Sequence, residues 1–144
     1  MIRLVVDSNI LFTFFWKNSV FYELCNSNLL EIYSPEYSLE EIKKYSSEII
    51  RKAKITEKEF NSPRNSLTAK INFIPLANYS LFFGKIKHLI KKLPEAERLD
   101  LMKDIDFLAL SLKLNIPLWS NDKLLKKQQA VEVLTTEEVI KIMF

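Results

Sequence analysis

At 144 residues, 48% hydrophobic and 27% charged, the chain has the length of one domain with a packed core and is too apolar to be a disordered segment. A single cysteine, Cys25, and a single histidine, His88, exclude an internal disulfide and a Cys- or His-rich zinc site. The net charge of +3 and pI near 8.9 permit nucleic-acid contact without demanding it. No apolar run is long enough to cross a bilayer, and an acid at position 7 comes too early for a secretory leader, so a soluble cytoplasmic protein is the expectation.

Residues 2–6 are apolar apart from Arg3, as a buried parallel strand requires. They give way to Asp7-Ser8-Asn9, where Ser8 or Asn9 can cap a densely apolar helix over residues 10–16. A short helix follows over 19–26, then a strand over 30–33 and the turn residues Ser34 and Pro35. Ser38 and Glu41 have capping-box spacing at the head of a long amphipathic helix, with Leu39, Ile42, Tyr45, Ile49 and Ile50 on its buried side. Thr56 and Glu59 repeat that spacing before a helix to about Lys70, which Pro63 is expected to kink or divide. Residues 72–76 read as a third strand, 79–92 as a helix with a basic face, and 94–101 as a short helical or turn segment. An apolar helix then runs from Asp104 to Leu114 and leads into a strand over 117–120. Asp122 opens a short basic helix over 123–129. A last strand spans 131–134, and Thr135 to Glu138 cap a final helix. Strands alternating with helices predict a single three-layer α/β/α domain over residues 1–144, around a central, mainly parallel sheet of about five short strands.

In such a sheet, ligands bind beyond the carboxyl ends of the strands. Asp7 ends the first strand and Asp122 the fourth; Glu41 and Asp104 stand where helices begin. Taken singly, each acid also reads as a helix cap or as a complement to a helix dipole. Together they form a candidate cluster. Carboxylates that converge repel one another unless a cation neutralises them. An all-oxygen donor set suits Mg²⁺ or Mn²⁺ rather than zinc, and such an ion acidifies water and offsets phosphoryl charge. Hydrolysis of a phosphodiester is the chemistry that follows.

Three segments carry a family resemblance. Leu4-Val-Val-Asp7-Ser-Asn9-Ile-Leu, Ser34-Pro-Glu-Tyr-Ser-Leu-Glu-Glu41-Ile, and the run from Asp104 through Leu118-Trp-Ser-Asn-Asp122 resemble the motifs of the PIN-domain ribonucleases. That family includes VapC-like toxins and PilT N-terminus-type proteins. The third segment is the most specific, because its spacing and its Ser-Asn-Asp ending both match; residues 46–93 carry little signal. The resemblance implies a PIN-like fold and a Mg²⁺- or Mn²⁺-dependent endoribonuclease with Asp7, Glu41, Asp104 and Asp122 as the catalytic, metal-holding acids. Asn9, Ser120 and Asn121 would support them. It leaves Asp106 as a rival to Asp104 and Glu40 as a rival to Glu41. It also implies an RNA substrate, a homodimer and, for a toxin, an antitoxin partner.

Lysines fall in three groups, and any one group reads first as a solvated helix face. Lys123, Lys126 and Lys127 are the exception, because they follow Asp122 directly and suit a phosphate backbone beside the acids. Phe82 and Phe83 are adjacent, so one of them is expected at a dimer or partner surface. The competing readings are a catalytically silent PIN-like module that binds RNA or protein, and a phospho-accepting receiver-like domain. The receiver reading is disfavoured because Asp7 is followed by Ser8 and Asn9 rather than by a second acid.

Overall fold

The structure, a computed structural model, describes residues 1–16 and 18–144. Its described residues include five parallel strands: β1 (Ile2–Val6), β2 (Leu30–Pro35), β3 (Asn72–Ile74), β4 (Leu118–Trp119) and β5 (Val133–Leu134). They lie in the order β3-β2-β1-β4-β5. The strand alternation sorts β1 onto two cores, as a period of two dictates. Leu4 and Val6 join one with Phe14, Phe21, Ile42 and Trp119. Val5 joins the other with Leu108, Leu110 and Leu118. Helices cover both faces, giving the three-layer α/β/α architecture.

On the first face lie α1 (Ser8–Phe12), α2 (Val20–Cys25), α3 (Tyr37–Lys44), α4 (Ser46–Ala53), α5 (Glu57–Lys70) and α10 (Thr136–Met143). The second face carries α6 (Phe83–Leu89), α7 (Glu95–Leu101), α8 (Ile105–Leu114) and α9 (Lys123–Lys127). In α8, Phe107, Leu108, Ala109 and Leu110 are all at most 1% exposed. A helix apolar on nearly every side belongs in a core. It ends at Asn115, whose φ of 55° places it in the left-handed region that a helix C-cap favours. The chain then enters β4 after only Ile116 and Pro117.

The structure revises several local expectations. The helix expected to run on from Ser38 breaks at Tyr45, whose φ and ψ are −100° and 15°. Tyr45 consequently leaves the buried side and is 37% exposed. Ser38 is not a cap: it lies inside α3, and its hydroxyl donates to the Pro35 carbonyl at 2.6 Å. Pro63 does not divide α5. That helix is anchored by a complete Thr56–Glu59 capping box and by buried Phe60 and Leu67. The basic helix expected from residue 79 begins only at Phe83, after two 3₁₀ turns. Phe82 and Phe83 are both half-buried against the second core. The exposed neighbour is Leu81, at 92%.

Candidate functional site

β1 and β4 are neighbours in the sheet, yet the chain leaves β1 toward β2 on one side and enters β4 from the other. This reversal of strand order opens a crevice at their carboxyl ends, the usual place for a ligand in an open α/β sheet. Val6 is paired with Trp119 in register, so Asp7 and Ser120 emerge side by side. A cavity of about 80 Å³ sits there, lined by Asp7, Ser8, Asn9, Glu41, Asp104, Asp122 and Leu125. All four acids singled out in the sequence therefore reach one pocket from four separate segments.

Each acid is held differently. Asp7, rather than Ser8 or Asn9, caps α1: its Oδ1 accepts the Ile10 amide at 2.9 Å. It is only 5% exposed, and burial pushes its carboxyl up to about 6. Hydrogen bonds from Ser120 and Ile10 oppose that shift, while the charges of Asp122 and Glu41 add to it. Asp104 stands at the start of α8 with no capping bond of its own. It is pushed up to about 7, first by burial and then by the charges of Asp7, Asp122 and Glu41. Asp122 caps α9, accepting the Leu125 amide at 2.9 Å. Glu41 accepts a hydrogen bond from the Ser8 hydroxyl at 2.7 Å.

Two sets of hydroxyls set this arrangement. Ser120 accepts the Asp122 amide at 3.0 Å and donates to Asp7, so one buried hydroxyl joins two of the acids. Ser34, also fully buried, bonds to the Val6 carbonyl at 3.0 Å. With Ser38 it fixes the entry of α3 beside β1 and so brings Glu41 to the pocket. The sequence showed the Ser38–Glu41 spacing but pointed to a capping box. The contacts of Ser8 and Ser34 span 33 and 28 residues of chain, and no local pattern announces them.

The paired ambiguities separate spatially. Glu40 is exposed, whereas Glu41 is half-buried and lines the pocket. Asp106 faces elsewhere, accepting the hydroxyl of Tyr79 at 2.6 Å. Asn9 lines the pocket. Asn121 instead ties the β4 end to α10: its carbonyl accepts the Thr136 amide at 2.8 Å and its amide donates to the Thr136 hydroxyl at 2.9 Å. Replacing Asn121 with alanine is expected to cost about 1 kcal/mol of stability in a denaturant melt. The cleavage activity proposed below should change little. Among the lysines, Lys126 pairs with Glu138 at 2.6 Å and Lys127 with Glu97 at 2.7 Å. Lys123 is exposed and in no ion pair among the described residues. The rim also holds Tyr37, a feature the sequence did not flag; its hydroxyl is shifted upward chiefly by the charge of Glu41.

The donor set fits a hard divalent cation. It is wholly oxygen, and no ion pair among the described residues reaches any of the four acids. Two of these carboxyls are also driven above their ordinary range, first by burial and then by the charges of the neighbouring acids. Among the described residues no three of these side chains stand close enough together to hold one ion jointly. Mg²⁺ commonly takes one or two carboxylates and keeps several waters, so a pocket lined by acids is sufficient.

A family model described as PIN domain matches residues 5–141. No curated protein matches the sequence. Among solved structures, a chain of VapBC2 from Rickettsia felis, crystallised bound to a DNA fragment from its promoter, superposes with a TM-score of 0.65 at 17% identity. The match covers 94% of this chain and 98% of that one. The superposition supports the fold. The family model spans nearly the whole sequence and both strand-end motifs, and it shows that the chain belongs to the PIN-domain family.

Proposed function

We propose that the protein is a Mg²⁺- or Mn²⁺-dependent endoribonuclease that hydrolyses RNA phosphodiester bonds at the acidic pocket. One observation carries the reading: four carboxylates from separate segments line a single pocket at the β1–β4 switch point, and no ion pair among the described residues reaches them. Membership of the PIN-domain family agrees with a nuclease.

Asp7, Glu41, Asp104 and Asp122 would hold the ion, which supplies acidification of a coordinated water and neutralisation of phosphoryl charge. The chain's own residues do the positioning. Ser120 hydrogen-bonds both Asp7 and the Asp122 backbone amide and so couples the two acids. Ser8 turns Glu41 into the pocket. Asn9 offers an amide on the pocket wall. Lys123, which follows Asp122 directly and is in no ion pair among the described residues, would meet an adjoining phosphate. Lys126 and Lys127 would first have to release Glu138 and Glu97.

The neighbour from Rickettsia felis was crystallised as VapBC2 on promoter DNA. By analogy, the chain is proposed as the toxin of a toxin–antitoxin pair, acting as a homodimer in the cytoplasm and silenced by an antitoxin. No helix among the described residues is long and apolar enough to cross a membrane.

The test is incubation with a mixed pool of structured RNAs in Mg²⁺, Mn²⁺ or EDTA, with Glu41→Gln and Glu40→Gln compared side by side. Cleavage should require the metal and fall about a hundredfold or more in Glu41→Gln, while Glu40→Gln stays close to the parent. Equal loss in both variants would remove Glu41 from its assigned place. Cleavage undiminished in EDTA would remove the metal.

A further inference from the structure

A second cleft, of about 230 Å³, adjoins the acidic pocket, and the two share Asn9 and Glu41. Its walls are aromatic. Phe12 comes from the end of α1, Trp16 from just beyond the following 3₁₀ turn, and Tyr45 from the break between α3 and α4. Phe12 and Tyr45 are in contact, with ring centroids 6.0 Å apart and planes inclined by 59°. The Lys44 ammonium lies 5.2 Å from the centroid of the Tyr45 ring. Lys52 stands on the cleft wall, 2.9 Å from Glu48, whose charge it balances. The helix break that exposes Tyr45 is thus what builds the cleft.

We propose that this cleft receives one unpaired nucleobase of the RNA strand whose phosphate lies over the acidic pocket. The inference rests on the nuclease reading and deepens it by naming the side chains that seat one base of the substrate. Aromatic faces stack on any base and contribute on the order of 1–3 kcal/mol for each one. Three aromatic rings suit a flat heterocycle better than a branched aliphatic side chain. The Asn9 amide, at the wall common to both cavities, both donates and accepts and so matches the edge of a base. Lys44, in no ion pair among the described residues, brings positive charge beside the Tyr45 ring to the strand that must leave the cleft. A base held in a duplex stack cannot enter, so cleavage is confined to loops, bulges and single strands.

The chain has two tryptophans. Trp119 is 0% exposed, which leaves Trp16 as the one a base can quench. The experiment uses the full chain in the cleavage-blocked Asp104→Asn background with Mg²⁺. It is titrated with a single-stranded RNA dodecamer and with the same sequence as a duplex. The single strand should quench Trp16 and the duplex should not. Adding Tyr45→Ala should weaken binding about 5- to 150-fold, the equivalent of one lost stack, and Tyr45→Phe should restore it. In the active protein Tyr45→Ala should raise KM for single-stranded RNA by a similar factor. Quenching by duplex as strongly as by single strand overturns the proposal. So does unchanged RNA affinity and KM in Tyr45→Ala, which gives the cleft to a protein segment while the nuclease reading stands. Tyr45-dependent quenching in a protein that cleaves no RNA supports the base cleft and sinks the nuclease reading instead.

Discussion

Replacing Asp104 with asparagine should abolish metal-dependent RNA cleavage, a loss of about a thousandfold or more, while the protein stays folded. Asp104 makes no capping bond, so its carboxylate is not needed to build α8. Burial and four neighbouring acids, Asp7, Asp122, Glu41 and Asp100, hold its carboxyl up to about 7. The metal-free fold therefore bears a cost for ionising it. The amide is close in shape and carries no charge, so at pH 8 in EDTA Asp104→Asn should melt no lower than the parent. Asp106→Asn is the matched control. Its partner is Tyr79, at 2.6 Å, and it lies outside the pocket lining. It should keep cleavage within about tenfold of the parent, since the change alters a hydroxyl contact with Tyr79 and the field at the rim residue Tyr37 but none of the pocket-lining acids. Cleavage lost in Asp106→Asn and kept in Asp104→Asn would exchange the two assignments. Circular dichroism beside the cleavage assay separates lost chemistry from lost structure.

The second large effect is on stability against pH. Asp7 and Asp104 are raised in the fold to about 6 and about 7, above an ordinary value of 3.8. A carboxyl raised in this way binds its proton more tightly when folded. Its contribution is complete below the unfolded pKa and is lost as pH climbs through the folded one. The metal-free protein should therefore lose stability between about pH 4 and pH 7. One pKa unit corresponds to about 1.4 kcal/mol, and solvent still reaches Asp104. Allowing for that, the loss is on the order of 3–5 kcal/mol, roughly 10–15 °C in Tm for a domain of this size. Mn²⁺ at a hundred times its Kd should return about 2.7 kcal/mol at pH 7.5. It should return little at pH 5, where protons compete for the same oxygens. Thermal melts across pH in EDTA and in Mn²⁺ check both arms. A Tm that rises steadily from pH 5 to pH 8 in EDTA would show that the two acids do not face one another unbalanced.

These acids were legible in the sequence because two strong patterns meet there. An almost wholly apolar run ending in a carboxylate locates Asp7, and a short apolar strand ending Ser-Asn-Asp locates Asp122. A parallel sheet sends both to one edge. Asp104 followed from the apolar helix behind it. Glu41 could not be told from Glu40, because that choice depends on where α3 begins. The beginning is set by Ser34 and Ser38 bonding to the Val6 and Pro35 carbonyls, and the Ser34 contact is invisible to periodicity. The break at Tyr45 was hidden for a similar reason. No glycine or proline marks it, and Ile49 and Ile50 continue the apolar pattern beyond it. The aromatic cleft follows from that break and so was equally out of reach. Asn121 belonged to a matching motif, yet its side chain is spent on Thr136 of α10, which only the packing of that helix against β4 determines.

The most direct measurement is calorimetric titration of the metal-free protein with Mn²⁺ near pH 6.5, repeated for Asp104→Asn in buffers of differing ionisation enthalpy. The parent should bind the ion and release protons as it does so, because Asp7 and Asp104 hold them at that pH and must give them up to bind. Binding should be lost or greatly weakened in Asp104→Asn. Absence of Mn²⁺ binding in the parent, or identical binding and proton release in Asp104→Asn, would contradict a metal centre built on these four carboxylates.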